Sequence, residues 1–150
     1  MPHYLANWAQ YVSPDDYAYL IYYIENARNN VPNNKMVILL GPGATGKSKL
    51  MDDITDYIGY ADCQYRDKDL SFKPIVKMAL SYNIAANYTS KRYIQNLKNI
   101  IQYGQSIITC VNSLEWLNTS IVINHSLIIN MNHVFDTTIP YVRRFGIAGS

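Results

Sequence analysis

Apolar and polar residues alternate along this chain in blocks that predict helices and strands in turn. Ser13 fits a helix N-cap, Pro14 fits the first helical position, and acidic residues follow in the first turn. Apolar residues then recur at helical spacing until a polar, proline-containing run over 29–34 ends the helix. An apolar run over 35–40 predicts a buried strand. Residues 47–58 predict a second helix, with these acids facing out: Asp52, Asp53 and Asp56.

The second half of the chain continues this alternation. The pattern predicts a helix over 75–80, a strand over 82–88 and a clear helix that begins after Thr89 or Ser90 and ends at Gly104. β-Branched runs at 106–111 and 127–131 predict two buried strands. Strands that alternate with helices indicate an α/β fold with a mostly parallel central sheet.

The link between the first strand and its helix carries a phosphate-binding motif. It fits G-x-x-x-x-G-K-[ST] in full, with a strand before it and a helix after it. Lys47 is expected to reach the β- and γ-phosphates, and Ser48 to hold Mg²⁺. Backbone N–H groups and the helix N-terminus favour an anion there. The predicted nucleotide-binding residues are Gly41, Pro42, Gly43, Ala44, Thr45, Gly46, Lys47, Ser48 and Lys49.

Composition narrows the class of protein. At 150 residues the chain predicts one P-loop NTPase core, a three-layer α/β sandwich over 33–150, with a helical segment over 1–32 packed on it. A net charge of +2 is too small to indicate nucleic-acid binding by itself. Cys63 and Cys110 are too few for a disulfide framework, so we expect an intracellular protein, in the cytoplasm or nucleus of a host cell. No apolar run is long enough for a membrane span.

A second polar position follows an apolar strand. Asn112 directly follows the apolar run 107–111. Ligands of open parallel sheets lie at the carboxyl ends of strands. If this strand neighbours the phosphate-loop strand, the Asn112 amide lies near the terminal phosphate and can orient an attacking water. The alternative is that Asn112 only begins a turn with Ser113.

Taken together, these motifs resemble the ATPase domains of superfamily 3 helicases and of the replication initiators of small circular DNA viruses. The matching elements are the phosphate loop, the strand ending in Asn112 with Trp116 after it, and the arginine-containing run 141–145. The resemblance implies an AAA+-like ATPase that uses ATP and Mg²⁺, forms a homo-oligomeric ring and acts in viral or mobile-element DNA replication or packaging. Asn112 would be its polar sensor, and Arg143 or Arg144 would reach the neighbouring subunit's nucleotide.

The chain departs from this family at the second acidic motif. Between Leu70 and Gln105 there is no Asp or Glu, although the family places its metal-binding and water-polarising carboxylates there. Asp67 and Asp69 are the nearest acids and the weak metal candidates, and Glu115 follows Asn112 by three residues. Either one of these acids replaces the motif, or the protein binds nucleotide and hydrolyses it slowly or not at all.

The sequence is also compatible with other functions. Lys91, Arg92 and Tyr93 head a helix and are candidates for contacts with single-stranded DNA, or they form a solvated basic face. A small P-loop kinase is an alternative, with Asp67 and Asp69 as its acidic pair and the two late arginines as a lid. A third reading is a non-catalytic nucleotide-binding interaction subunit.

Overall fold

The computed structural model describes residues 1–65, 77–81, 91–112, 124–136 and 138. These residues form four α-helices, two short 3-10 turns and five strands. The helices are α1 (His3–Ala6), α2 (Pro14–Arg28), α3 (Lys47–Ile58) and α4 (Lys91–Tyr103), and the 3-10 turns are Asn7–Gln10 and Tyr60–Asp62. The strands are β1 (Met36–Leu40), β2 (Cys63–Tyr65), β3 (Met78–Ser81), β4 (Ile107–Val111) and β5 (Ser126–Asn130).

The five strands form one parallel sheet in the order β2-β3-β4-β1-β5. On β1, Val37 is in register with Ile108 of β4 on one side and Leu127 of β5 on the other. All carboxyl ends therefore meet at one edge of the sheet, and the loop that leaves β1 lies between two neighbouring strands. The predicted α/β fold with a parallel sheet is confirmed.

One predicted element is wrong. Residues 78–80, expected in a helix, belong to the strand Met78–Ser81, which lies between β2 and β4 and is buried at all four positions. A short apolar run fits a strand covered on both faces as well as it fits a buried helix, so periodicity alone could not decide. The strand predicted over 82–88 lies outside the described residues.

Apolar side chains cover both faces of the sheet. On one face, α1, α2 and α3 pack with alternate strand residues in a cluster that includes Leu5, Trp8, Ile24, Leu50, Val37 and Ile108. On the other face, Leu97 and Ile101 of α4 pack on Met36, Ile38 and Ile107. The described residues thus form three layers, as predicted. No helix in this part of the chain combines the length and apolar character that a membrane crossing needs.

Helix α2 begins at the predicted N-cap and is held to the sheet near its other end by hydrogen bonds of Tyr23. The Ser13 hydroxyl accepts a hydrogen bond from the Asp16 amide at 3.3 Å, as the predicted N-cap requires. Near the other end, the buried Tyr23 hydroxyl donates to the Lys35 carbonyl and accepts from the Ile107 amide, each at 2.7 Å. These two bonds join α2 to the amino ends of β1 and β4.

Candidate functional site

The phosphate loop leaves β1 at the carboxyl edge of the sheet and enters α3, as the motif predicts. Ala44 has φ 62° and Gly46 has φ 84°, so both lie in the left-handed region. Gly46 is the N-cap of α3, and its carbonyl accepts the first helical bond from Leu50 at 2.9 Å. Left-handed residues turn neighbouring backbone N–H groups toward a common concavity, and α3 directs its N-terminus there. The backbone therefore has the form of an anion site.

The first two glycines of the loop, Gly41 and Gly43, differ in the space that a side chain would have. A Cβ added at Gly41 would overlap the backbone carbonyl oxygen of Met131, because the chain leaving β5 passes directly beside it. At Gly43 an added Cβ would have no heavy atom within 4 Å. Close packing thus requires Gly41, whereas the space beside Gly43 is open.

Lys47 lies on the inside of this loop and is largely buried. Its ammonium group donates to the carbonyl oxygens of Gly41 at 2.6 Å and Pro42 at 2.7 Å, and to the Thr45 hydroxyl at 3.3 Å. Burial lowers the pKa of Lys47, and the nearby Cys110 acts in the opposite direction. Ser48, the next residue, is exposed. The cation and the hydroxyl that the motif requires are therefore both at the loop.

Asn112 lies at the end of β4, directly beside the start of the phosphate loop. The Gly41 amide donates to the carbonyl of Val111 at 3.2 Å, and Asn112 is the next residue, with an exposed side chain. The adjacency of β1 and β4, on which the sensor hypothesis depended, is present. The role of the Asn112 amide stays a prediction.

The strand next to β4 brings no carboxylate to this edge within the described residues. β3 reads Met-Ala-Leu-Ser, and Ser81 is in register with Thr109 of β4. Both side chains are buried, and the Thr109 hydroxyl has no hydrogen-bond partner in the described part of the chain. No group of three His, Cys, Asp or Glu residues suited to a metal occurs there either. The assignment of Ser48 to Mg²⁺ stays a prediction.

Asp53 lies in a different environment from the one predicted, paired with Lys49, whose nucleotide-binding role stays a prediction. The Lys49 ammonium forms an ion pair with Asp53 one turn later in α3, and both residues are buried. The Trp8 indole N–H also donates to Asp53, at 2.8 Å. The expectation that Asp53 faces solvent is wrong, because the N-terminal segment covers this side of α3. Opposite charges four residues apart were the sequence signal that pointed to such a pair.

Phe135 is a site residue that the sequence analysis missed. Its amide donates to the Ala44 carbonyl at 2.8 Å, so the chain after β5 is bonded to the middle of the loop. Its ring contacts those of Trp8, Tyr11 and His133, with centroids 6.4, 5.0 and 4.7 Å away. We call these four residues the aromatic cluster. No local pattern predicts contacts between positions so far apart in the chain.

Several of the predicted site residues lie outside the part of the chain that the structure describes. Asp67, Asp69, Glu115, Arg143 and Arg144 lie outside the described residues. Lys91, Arg92 and Tyr93 open α4, but their side chains are outside the described part. The metal, arginine-finger and DNA-contact hypotheses for these positions therefore stay predictions.

Comparison with known proteins supports the fold. No family model matches the chain, and no curated protein matches it in sequence. Among solved structures the chain is similar to C. elegans PCH-2, with a TM-score of 0.56 and 12% sequence identity. The match covers 88% of this chain and 46% of that one, so the chain spans about half of the matched protein. The likeness to this solved structure supports the α/β fold with its five-stranded parallel sheet.

Proposed function

We propose that this protein binds ATP with Mg²⁺ at residues 41–48 and hydrolyses it, as an AAA+-like ATPase of the helicase or DNA-translocase class. The observation that carries the proposal is the position of Lys47. Its ammonium group donates to three oxygens of the phosphate loop, at the carboxyl edge of a parallel sheet. The loop backbone beside it has the conformation of an anion-binding site.

Binding exchanges one set of Lys47 partners for another. Phosphate oxygens carry more negative charge than the carbonyls of Gly41 and Pro42, so Lys47 gains stronger charge-assisted bonds when a triphosphate enters. The open space at Gly43 and the backbone N–H groups at the start of α3 receive the remaining oxygens. Ser48 offers its hydroxyl to Mg²⁺, which neutralises charge on the phosphates when it is bound.

Asn112 has the chemistry of a positioning group for the attacking water. Its amide can donate and accept hydrogen bonds but cannot take a proton, so a base must come from elsewhere. Since β3 carries no carboxylate within Met78–Ser81, we propose that Asp67, Asp69 or Glu115 supplies it. Turnover is expected to be slow if none of them does.

The translocase part of the proposal rests on the resemblance described for the sequence and is consistent with the parallel α/β fold. In this proposal the chain forms a homo-oligomeric ring, and Arg143 or Arg144 reaches the nucleotide of the neighbouring subunit. Single-stranded DNA contacts Lys91, Arg92 and Tyr93. DNA replication or packaging in a virus or mobile element is the process that such a ring would serve.

The deciding experiment measures nucleotide binding and phosphate release with ATP and GTP, with and without single-stranded DNA. Wild type is compared with Lys47→Ala, Asn112→Ala and the control Lys98→Ala, a lysine of α4. We expect Lys47→Ala to abolish binding and Asn112→Ala to retain binding while lowering release. Binding that survives Lys47→Ala would refute the site, and turnover indifferent to DNA would refute the translocase assignment.

A second candidate is a nucleotide-gated interaction subunit. The lack of a carboxylate in β3, the strand next to β4, favours it. Tight binding of ATP that depends on Lys47, without phosphate release under any of these conditions, is the result that would select it.

A further inference from the structure

Ala44 holds an unfavourable backbone conformation in the middle of the phosphate loop. Its φ of 62° lies in the left-handed region, which residues with a Cβ adopt at a cost. Such a conformation persists only when the surroundings impose it, and it concentrates at functional sites. In this loop it helps to turn the backbone N–H groups toward the phosphate position.

The contact that restrains Ala44 comes from the other end of the chain. The Phe135 amide donates to the Ala44 carbonyl at 2.8 Å, which fixes the orientation of the peptide after Ala44. The chain that carries Phe135 is itself anchored, because the Met131 amide donates to the Leu40 carbonyl at 2.7 Å. Residues 131–135 therefore run along the loop from its start to its middle.

The ring of Phe135 is seated on the N-terminal segment. Trp8 and Tyr11 both meet it edge to face, and Phe135 is only 8% exposed. Trp8 also donates to Asp53, the partner of Lys49 in the first turns of α3. The aromatic cluster thus contacts both the middle of the loop and the helix that follows it.

We propose that Phe135, seated on Trp8 and Tyr11, is a positioning residue for the phosphate loop. It holds Ala44 in the left-handed conformation before the nucleotide arrives, so the N-terminal segment is part of the nucleotide site without touching the nucleotide. This inference rests on the proposed function, because it concerns the same loop.

The expected effect follows from the cost of the left-handed region. Without the cluster, Ala44 relaxes in the free protein, and binding must restore its conformation. Nucleotide affinity should then fall by about five- to thirtyfold, the cost of one left-handed residue. Glycine adopts positive φ without that cost. In an Ala44→Gly background, the same cluster substitution should therefore lower affinity by less than about threefold.

The experiment is a double-mutant cycle on the full chain, read by equilibrium binding of a fluorescent ATP analogue and by thermal unfolding. Tyr11→Leu is the main variant, since Tyr11 is half-buried, and Phe135→Leu is the second. Tyr19→Leu is the control, because Tyr19 is a half-buried tyrosine of the same core cluster whose described ring contacts are on α2. Tyr11→Phe keeps the ring and should retain the affinity.

Each outcome decides the question. An affinity loss in Tyr11→Leu that Ala44→Gly relieves supports the inference. Unchanged affinity, or an equal loss with Ala and Gly at position 44, overturns it, since a purely structural role would not depend on that residue. Should wild type and Tyr19→Leu fail to bind nucleotide, the proposed function itself fails. Binding that Lys47→Ala abolishes but Tyr11→Leu leaves intact refutes this inference alone.

Discussion

At the residue scale, the buried charges of α3 depend on one another. Lys49 and Asp53 are 8% and 2% exposed, and the second Asp53 oxygen receives the Trp8 indole N–H. Charges removed from water are tolerated only when they are paired and hydrogen-bonded, and breaking such a pair costs more than replacing it whole. Asp53 is therefore both the ion-pair partner of Lys49 and the hydrogen-bond acceptor of the Trp8 indole.

Replacing Asp53 with Ala should lower the free energy of unfolding by about 3–5 kcal/mol, because the Lys49 ammonium would remain buried without its partner. Urea denaturation at pH 7 measures this change. Asp56→Ala, on the exposed side of the same helix, should change stability by less than about 0.5 kcal/mol. The double variant Lys49→Met/Asp53→Leu should recover much of the loss, and equal effects of Asp53→Ala and Asp56→Ala would contradict the burial of the pair.

Cys110 supplies a second prediction at this scale. Burial raises the pKa of its thiol to about 12, although the Lys47 charge opposes the rise. The unfolded chain loses this proton near pH 9 and the folded chain does not, so stability is complete below pH 9 and falls as pH rises toward 12. The contribution of Cys110 to the slope should be at most about 1.4 kcal/mol per pH unit.

Chemical denaturation between pH 8 and pH 11 tests this pH dependence, and Cys110→Ala is expected to reduce the slope of the profile. Burial likewise raises the pKa of Cys63 to about 11 and raises the pKa of Tyr23, so the Cys110→Ala profile keeps a smaller slope. A profile that Cys110→Ala leaves unaltered would show that the Cys110 thiol is not buried as described.

At the scale of elements, the phosphate loop contains a matched pair of glycines. Gly41→Ala should destabilise the protein and abolish nucleotide binding, because its Cβ meets the Met131 carbonyl and would push β1 away from the chain after β5. The loss should be about 1–3 kcal/mol or more, which is the cost of overpacking against a fixed backbone. Gly43→Ala has open space and should retain the stability of wild type within about 0.5 kcal/mol. Thermal unfolding of both variants distinguishes them, and similar melting temperatures would count against the close approach.

Local signals predicted the elements that local physics determines. The N-cap at Ser13, the strand-loop-helix around Lys47 and the parallel sheet all follow from short-range spacing. Periodicity could not identify β3, since four apolar or small residues fit either element. Periodicity could not predict the burial of Asp53, because that burial depends on the N-terminal segment covering α3. Nor could it predict the contact between Phe135 and Ala44, because these residues meet only in the folded chain. The phosphate loop was predictable for the opposite reason, since its chemistry needs eight consecutive residues.

At the scale of the whole molecule, the N-terminal segment is part of the main core. Leu5, Trp8 and Val12 are each at most 6% exposed and share one apolar cluster with β1, α3 and β4. The division at residue 32 remains a prediction, but the packing shows that the two parts share buried surface.

Deleting residues 1–12 should therefore unfold the remainder or leave it marginal. Each of the three buried side chains contributes about 1.5–3 kcal/mol, and a domain of this size is stable by only about 5–15 kcal/mol in total. Circular dichroism during heating measures the loss of the cooperative transition. Removing only residues 1–2 is the control, and a truncated chain that melts like wild type would show that the segment is dispensable for folding.

The strand order also governs how the chain acquires its structure during synthesis. β1 emerges early, yet its two neighbours are β4 and β5, which begin at residues 107 and 126. At ribosomal rates the interval between β1 and β5 lasts on the order of ten seconds. Until β4 has been synthesised the all-apolar run Met36–Leu40 has neither hydrogen-bonding partner, and until β5 follows it lacks one of the two. The nascent chain must therefore keep its central strand from aggregating until almost the last described residues have left the ribosome, and chaperone binding there would compete directly with completion of the sheet.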